Sequence, residues 1–363
     1  MHVLLFLSDL DGGGAQRTVV NLANGLSQFG VETTLVVARS GGAAQNWLGS
    51  DVRLVSLDAT RTRYALIGLR RELRRSCPNV LFATIVDANI VAALASIGLR
   101  KGMRVILRET NSHRARGDIR GVRRALIGWA YRGADAVVAL SSGVRQELLD
   151  DYSLLEHKVV TIGNPVNIEA LRRARNTEAA NPLCFDRKGC ESVLIAVGRL
   201  TRQKGFDLLI RAFAKLTLPS KLVILGEGPE RDALRSLAQA EGVSDRISMP
   251  GFVADPSVWI RYADVFVLSS RWEGFGHVIV EAMAVGVPVV ATDCPYGPAD
   301  IVFHERNGLL VEPDNVFALK AGIELAIADK SESMKRVAIA KVDALRFESR
   351  SIVRKYLKIF SFS

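Results

Sequence analysis

Arg271-Trp272-Glu273-Gly274-Phe275-Gly276-His277-Val278-Ile279-Val280-Glu281 stands between an apolar strand pattern, Val265–Leu268, and an apolar helical pattern, Val278–Val285, that ends at Gly286 and Pro288. A strand, a glycine turn and a helix start leave free backbone N–H groups and the positive end of a helix dipole aimed at one spot, which suits phosphate. Glu273 and Glu281 flank this turn with seven residues between them. At ~1.5 Å rise per residue, Glu281 falls about two helical turns further on. Two carboxylates at different depths beside one anion site suit a nucleotide-sugar, with hydroxyls at both ends and a diphosphate between.

Outward from that stretch, short apolar strands alternate with helical patterns. The first series is His2–Leu7, Thr33–Val37, Val52–Leu57, Val80–Ala83, Val105–Leu107, Ala136–Leu140 and Val159–Ile162. The second is Val193–Val197, Lys221–Leu225, Ile247–Met249, Val265–Leu268, Val287–Ala291 and Gly308–Val311. Such alternation predicts an α/β protein with parallel sheets covered by helices on both faces. A polar, poorly periodic stretch separates the series, so the chain reads as an N-terminal doubly wound domain over 1–165, a linker over 166–190 and a C-terminal domain over 191–345. Residues 346–363 carry a helical stripe of Ile352, Tyr356, Leu357 and Phe360. Ligands of such sheets bind beyond the C-terminal strand ends, and two such domains face to face make a central cleft.

The second half opens with Gly198-Arg199-Leu200 and Lys204-Gly205 after its first strand. A fork-shaped guanidinium and a compact ammonium suit two neighbouring phosphates. Gly226-Glu227-Gly228 and Gly251-Phe252-Val253 follow two further strands and suggest a backbone rim where a flat base lies. In the first half, Gly12-Gly13-Gly14-Ala15-Gln16-Arg17 follows the first strand, and Arg108-Glu109-Thr110-Asn111-Ser112-His113 follows the fifth. Asp9-Leu10-Asp11 spells a metal-binding string without apparent partner ligands, so no metal site is expected. A dinucleotide fingerprint needs glycine where Arg17 stands, which disfavours an oxidoreductase.

Taken in order, these motifs, with Asn164-Pro165-Val166 and Thr292-Asp293-Cys294, resemble family 4 of the retaining glycosyltransferases (glycosyl transferases group 1) over nearly the full chain. The resemblance implies the GT-B fold, with two Rossmann-like domains and the C-terminal helix crossing back to the N-terminal one. It implies that Arg199 and Lys204 neutralise the donor diphosphate, Glu273 contacts the donor sugar and Glu281 the ribose. Gly274, Phe275, Gly276, His277 and Val278 would bring backbone to the diphosphate, Phe252 and Val253 would hold the base, and Gly13 and Gly14 would let the first loop approach a substrate. His113 is the candidate acid–base residue on the acceptor side, the bland alternative being an exposed loop histidine. The implied reaction is retaining transfer of a sugar from a nucleoside-diphosphate sugar, a UDP-sugar being the leading guess. The acceptor would be a hydroxyl of a lipid-linked glycan or cell-envelope polysaccharide precursor. No metal and no cofactor would be needed. Alternative readings are another sugar-nucleotide enzyme, such as a non-hydrolysing 2-epimerase, and a non-catalytic nucleotide-binding scaffold.

Composition bounds the rest. The 363 residues carry a net charge of +10, and residues 61–124 alone hold 15 basic and four acidic side chains. Leucines and arginines mix at helical spacing in Leu66–Arg75 and Val122–Arg132, with little aromatic interleaving for base stacking. The region Arg61–Arg124 is thus expected as a solvated basic face, a contact for anionic membrane or a seat for a phosphate-bearing substrate, and no nucleic-acid partner is expected. No apolar run of about 18 residues suggests a membrane span, and the expected location is cytoplasmic, peripheral on the inner face of the membrane. Cys77, Cys184, Cys190 and Cys294 form no Cys-x-x-Cys pair and read as reduced structural thiols.

Overall fold

The structure, a computed structural model, describes residues 1–11, 14–117, 119–175, 181–182 and 192–361. Gly12, Gly13, Cys184 and Cys190, and residues 176–180 and 183–190 of the expected linker, lie outside the described residues.

All thirteen expected strands are present, with shifts of one or two residues at their ends. They are β1 (His2–Leu7), β2 (Glu32–Val37), β3 (Arg53–Ser56), β4 (Val80–Thr84), β5 (Arg104–Glu109), β6 (Ala136–Ala139), β7 (Val159–Thr161), β8 (Ser192–Val197), β9 (Ser220–Leu225), β10 (Ile247–Gly251), β11 (Val265–Leu268), β12 (Val289–Thr292) and β13 (Leu309–Val311). The chain divides into two compact units, Met1–Val166 with Ser349–Ser363, and Asn167–Glu348. The first holds a parallel seven-stranded sheet of order β3-β2-β1-β4-β5-β6-β7. The second holds a parallel six-stranded sheet of order β10-β9-β8-β11-β12-β13. Central strands such as β1 and β4 are buried along their whole length. That burial is why they read as unbroken Val/Leu/Ile/Phe runs and not as alternation. Both sheets reverse order beside their first strand, β1 or β8, and loops leaving the C-terminal strand ends there are where ligands of such sheets bind.

Two differences from the expectation have plain causes. The stretch expected as a linker begins with a helix, Ile168–Arg175, that belongs to the second unit and packs on the helix His277–Val285. Its pattern is short and arginine-rich, so its single apolar stripe was hidden. Asn164, in the polar stretch just before that linker, is instead a buried partner of the fully buried Arg108, its Oδ1 accepting from the guanidinium.

The C-terminal helix Ser349–Phe360 is amphipathic and belongs to the first unit, against the helix Gly14–Gln28. Its buried stripe is Ile352, Val353, Tyr356 and Phe360, and Tyr356 meets Phe82 of β4 edge-on at 5.5 Å. A Cβ on Gly25 would come within 2.5 Å of Val353 Cγ2, so this helix–helix contact needs a glycine.

Candidate functional site

In the second unit the loop after β8 and the loop after β11 touch directly. Gly205 has φ +61, and a Cβ there would fall 2.1 Å from the Ser269 carbonyl oxygen. No side chain fits, which brings the two backbones together. Hydrogen bonds then tie the loops. Ser269 Oγ donates to the Lys204 carbonyl (2.9 Å), the Arg271 N–H to the Gln203 carbonyl (2.8 Å) and Gln203 Nε2 to the Trp272 carbonyl (3.0 Å). The Arg271 guanidinium grips the Asp207 carboxylate at 2.8 and 2.7 Å, and also reaches the Arg202 carbonyl and Asp314. Burial alone would raise the Asp207 carboxyl, but Arg271 outweighs it and holds the group below its usual value.

This tie sets Lys204 against Glu273, Nζ to Oε1 at 2.5 Å. Ser270 Oγ donates to the same carboxylate oxygen at 2.6 Å. Glu273 is 5 % exposed, whereas the Lys204 side chain keeps 20 % of its surface open. Immediately beyond, Gly276 (φ +91) starts the helix His277–Val285, and no side chain among the described residues caps it. Gly297 closes the turn from behind, since a Cβ there would fall 2.6 Å from the Phe275 carbonyl. Phe275 is buried edge-on against Phe347 at 5.1 Å. Glu281 is buried one turn along the helix from His277, whose Nε2 stands 3.4 Å from its Oε1. Glu273, Gly274, Phe275, Gly276, His277, Val278 and Glu281 are therefore brought to one place with Lys204. Cys294 lies buried nearby; its burial, with the charge of Glu273, pushes the thiol up to about 12.

The glycine turns also gather. A Cβ on Gly226 would fall 1.9 Å from the Gly198 carbonyl, and one on Gly228 2.3 Å from the Leu200 carbonyl. Gly226 donates to the Gly251 carbonyl at 2.8 Å. The exits of β8, β9 and β10 thus form one continuous backbone rim. Arg199 is exposed on it, Phe252 is 73 % exposed and Val253 half-buried. The arrangement offers a cation, free helix-start N–H groups, buried carboxylates and a flat rim in sequence, which is the chemistry of a sugar, a diphosphate and a nucleoside.

The first unit treats its polar residues differently. His113 is not an exposed loop histidine but a buried residue opening the short helix His113–Arg116. Its Nε2 donates to Glu109 Oε2 (2.8 Å), and its Nδ1 meets the Tyr152 hydroxyl (2.5 Å). Tyr131 donates to the same Glu109 oxygen, while Glu109 Oε1 takes the N–H groups of Thr110 and Asn111. Burial opposes the charge on Glu109, but His113 and Tyr131 prevail and keep its carboxyl below the ordinary value. With both ring nitrogens engaged inside the unit, His113 has the geometry of a structural linchpin. Gly14 opens an α-helix, and a Cβ on it would meet nothing within 4 Å. Asp9 and Asp11 face Arg39, at 2.7 and 3.5 Å, instead of one another's ligand partners. Among the described residues no group of three or more His, Cys, Asp or Glu side chains is placed to hold a metal ion.

Residues 186–342 match the family described as glycosyl transferases group 1, and residues 12–170 match glycosyltransferase family 4. A Rhizobium meliloti lipopolysaccharide core biosynthesis glycosyltransferase, LpsE, is 31 % identical over 360 residues, 96 % of each chain. The chain belongs to the group 1 glycosyltransferases. This glycosyltransferase is also 30 % identical, over 65 % of its length, to a Campylobacter jejuni transferase named for adding N-acetylgalactosamine to a diphospho-undecaprenol-linked saccharide, and the match spans 63 % of that protein. Among solved structures, Anabaena HepE in complex with UDP superposes with a TM-score of 0.82 at 21 % identity, covering 99 % of both chains. Sucrose-phosphate synthase from Thermosynechococcus elongatus gives 0.80 at 18 % identity, over 99 % of this chain and 98 % of that one. The fold of this glycosyltransferase is GT-B.

Arg271, Asp207, Gln203 and Ser270 of the site, and Tyr131, Tyr152 and Glu147 of the first unit's cluster, are not among the candidates that the motifs offer, whereas Glu109 falls in the quoted polar run Arg108–His113. Arg271 opens the quoted motif, which was a signal of a kind. Its partner Asp207 is 64 residues away, a pairing that no local spacing announces.

Proposed function

We propose that this glycosyltransferase moves a sugar from a UDP-sugar to a hydroxyl of a lipid-linked glycan or cell-envelope polysaccharide precursor, with retention of configuration and without a metal ion. The observation that carries the donor half is the 2.5 Å apposition of Lys204 and Glu273 beside the uncapped start of the helix His277–Val285. Lys204, Arg199 and the helix-start N–H groups stabilise the leaving diphosphate as its bond to the anomeric carbon breaks. Glu273 aligns the sugar through its hydroxyls, Glu281 holds the ribose, and Phe252 and Val253 hold the base against the glycine rim. The acceptor oxygen bonds to the anomeric carbon, and its proton passes to the departing phosphate. The choice of UDP draws on the UDP-bound HepE structure, and the acceptor class on the diphospho-undecaprenol-linked substrate in the name of the Campylobacter relative.

The protein works at an anionic membrane surface. The helices Leu66–Ser76 and Gly121–Gly133 both pack on Val86–Ala95, and this side of the first unit exposes Ile67, Ile97, Val122, Leu126 and Trp129 among Arg71, Arg74 and Arg123. Apolar side chains with arginines between them suit the headgroup boundary of an anionic bilayer. No helix among the described residues is long and apolar enough to cross a membrane.

The test is a panel of nucleotide-sugars assayed with purified protein, first by thermal stabilisation and then by product analysis with lipid-linked acceptors. Transfer that persists in a strong chelator is expected. Conversion of the donor without any acceptor would replace this reading with an epimerase, and absence of turnover with every donor would leave a scaffold.

A further inference from the structure

The first unit carries a cavity of about 500 Å³ lined by residues that the donor site does not use. It lies among the segments leaving β2, β3 and β4, at the C-terminal edge of the sheet and beside the reversal of strand order. That is the edge at which ligands of doubly wound sheets bind, and the volume is that of a small-molecule site. One wall is basic and hydroxylic, Thr60-Arg61-Thr62-Arg63, and another is aliphatic, Ile90 and Val91.

The charges in the lining are not equally available. Arg39 is paired with Asp9 and Asp11, and Asp87 with Arg123. Arg63 lies over the Tyr64 ring and donates to its hydroxyl at 2.9 Å. Arg61 has no ion-pair partner among the described residues, and both Arg61 and Arg63 are exposed. Two non-glycine residues with positive φ, Asp58 (+49°) and Ile85 (+76°), stand in the loops that deliver these walls. For a β-branched residue such as Ile85 this backbone is strained, and strain of that kind collects at ligand sites.

Guanidinium groups beside hydroxyls match a phosphate ester, and the aliphatic wall matches the apolar face of a sugar ring. We propose that this cavity is the acceptor site and that it selects acceptors carrying a phosphate or diphosphate ester, held by Arg61 and Arg63. The inference rests on the transferase reading above and adds to it the acceptor's chemistry and the residues that recognise it. The recognition is separate from the arginines of the helix Leu66–Ser76, which serve the membrane surface.

Isoleucine methyl groups make the test local, because Ile90 lines the cavity and Ile279 Cδ1 lies beside Gly276 of the donor turn. The full chain, methyl-labelled at isoleucine, is titrated by NMR with inorganic pyrophosphate, glucose 6-phosphate and glucose. Saturable movement of the Ile90 signal with the phosphate-bearing probes and not with glucose is expected. The double variant Arg61→Ala/Arg63→Ala should weaken that response at least ten-fold, with Arg61→Lys/Arg63→Lys retaining most of it and Arg71→Ala/Arg74→Ala all of it. A tighter response to pyrophosphate assigns a diphosphate-linked acceptor, and a tighter response to glucose 6-phosphate a phosphorylated sugar. An Ile90 signal that stays still, moves equally with glucose, or is unchanged in the alanine variant overturns the proposal, even where Ile279 responds. An Ile279 signal silent to pyrophosphate while Ile90 responds would break the donor reading alone.

Discussion

Two clusters of ionisable side chains stand near C-terminal strand ends of two similar sheets, and they are wired in opposite ways. In the first unit, Glu109 receives His113, Tyr131 and two backbone N–H groups, and His113 spends its second nitrogen on Tyr152. Neighbouring Glu147 receives Ser112 Oγ and the N–H groups of His113 and Arg114. Hydrogen-bonding capacity there is consumed internally. In the second unit, Lys204 has one side-chain partner among the described residues, Glu273, and stays partly open beside an uncapped helix start. A saturated buried network specifies and stabilises a fold. A cation with donors to spare, next to free N–H groups, is set to receive a ligand. Polarity and burial alone do not separate the two; unused bonding capacity does.

Breaking the open cluster should have the largest effect. Lys204→Ala removes the cation facing the leaving diphosphate, and loss of one such electrostatic donor typically costs about 10²–10³ in kcat. Steady-state kinetics on the folded variant should show that loss, and near-normal turnover would refute the comparison.

Breaking the saturated cluster should damage folding first. Glu109→Gln leaves buried His113 and Tyr131 poorly satisfied, at about 1–3 kcal/mol. The depressed Glu109 carboxyl also gives this effect a direction with pH. Its contribution is fully present above the ordinary glutamate value of about 4.3, and is lost as pH falls through the lower folded value. Urea unfolding should therefore separate the variant from the parent at pH 7, with the gap closing towards pH 3. A gap that widens in acid would contradict the assignment.

Arg271 sharpens the comparison because it supports the open cluster without facing the reacting groups. Arg271→Ala should loosen the Gln203–Lys204 loop and raise the donor KM by roughly ten-fold, with a smaller fall in kcat. Asp207 should rise towards its ordinary carboxylate value in the same variant, readable by NMR titration. An unchanged KM would show that the loops hold each other without it.

The smallest kinetic effect is expected at His113. His113→Asn should lower the melting temperature yet leave kcat at 15 °C within about three-fold, because general acid–base groups typically contribute about 10²–10⁴ and this one faces inward. A hundred-fold loss with the fold intact, and a pH profile that loses one limb, would restore an acid–base role.

The strands and glycine turns were legible because each is a local pattern. Buried parallel strands read as apolar runs, and Gly205, Gly226 and Gly276 occur where positive φ is needed. The motif Arg271–Glu281 could be read as a phosphate turn for the same reason. The helix Ile168–Arg175 has no clear signal because eight residues with three arginines give too short an apolar stripe. The burial of His113 had no local signal, because a polar run after a strand looks alike whether it meets water or, as here, Tyr131 and Tyr152 from other elements.

Local order along the chain was therefore sufficient for the strand sequence, the two sheets and the position of the donor turn, since periodicity and glycine placement act over a few residues. Which polar groups would be consumed and which left open was decided only by packing. The Lys204–Glu273 and Arg271–Asp207 pairs join segments more than 60 residues apart, and Glu109 is satisfied by side chains up to 22 residues away. Those pairings exist only once the strands have closed and the loops at their ends are pressed together, because hydrogen bonding is decided over ångströms in space and not by distance along the chain.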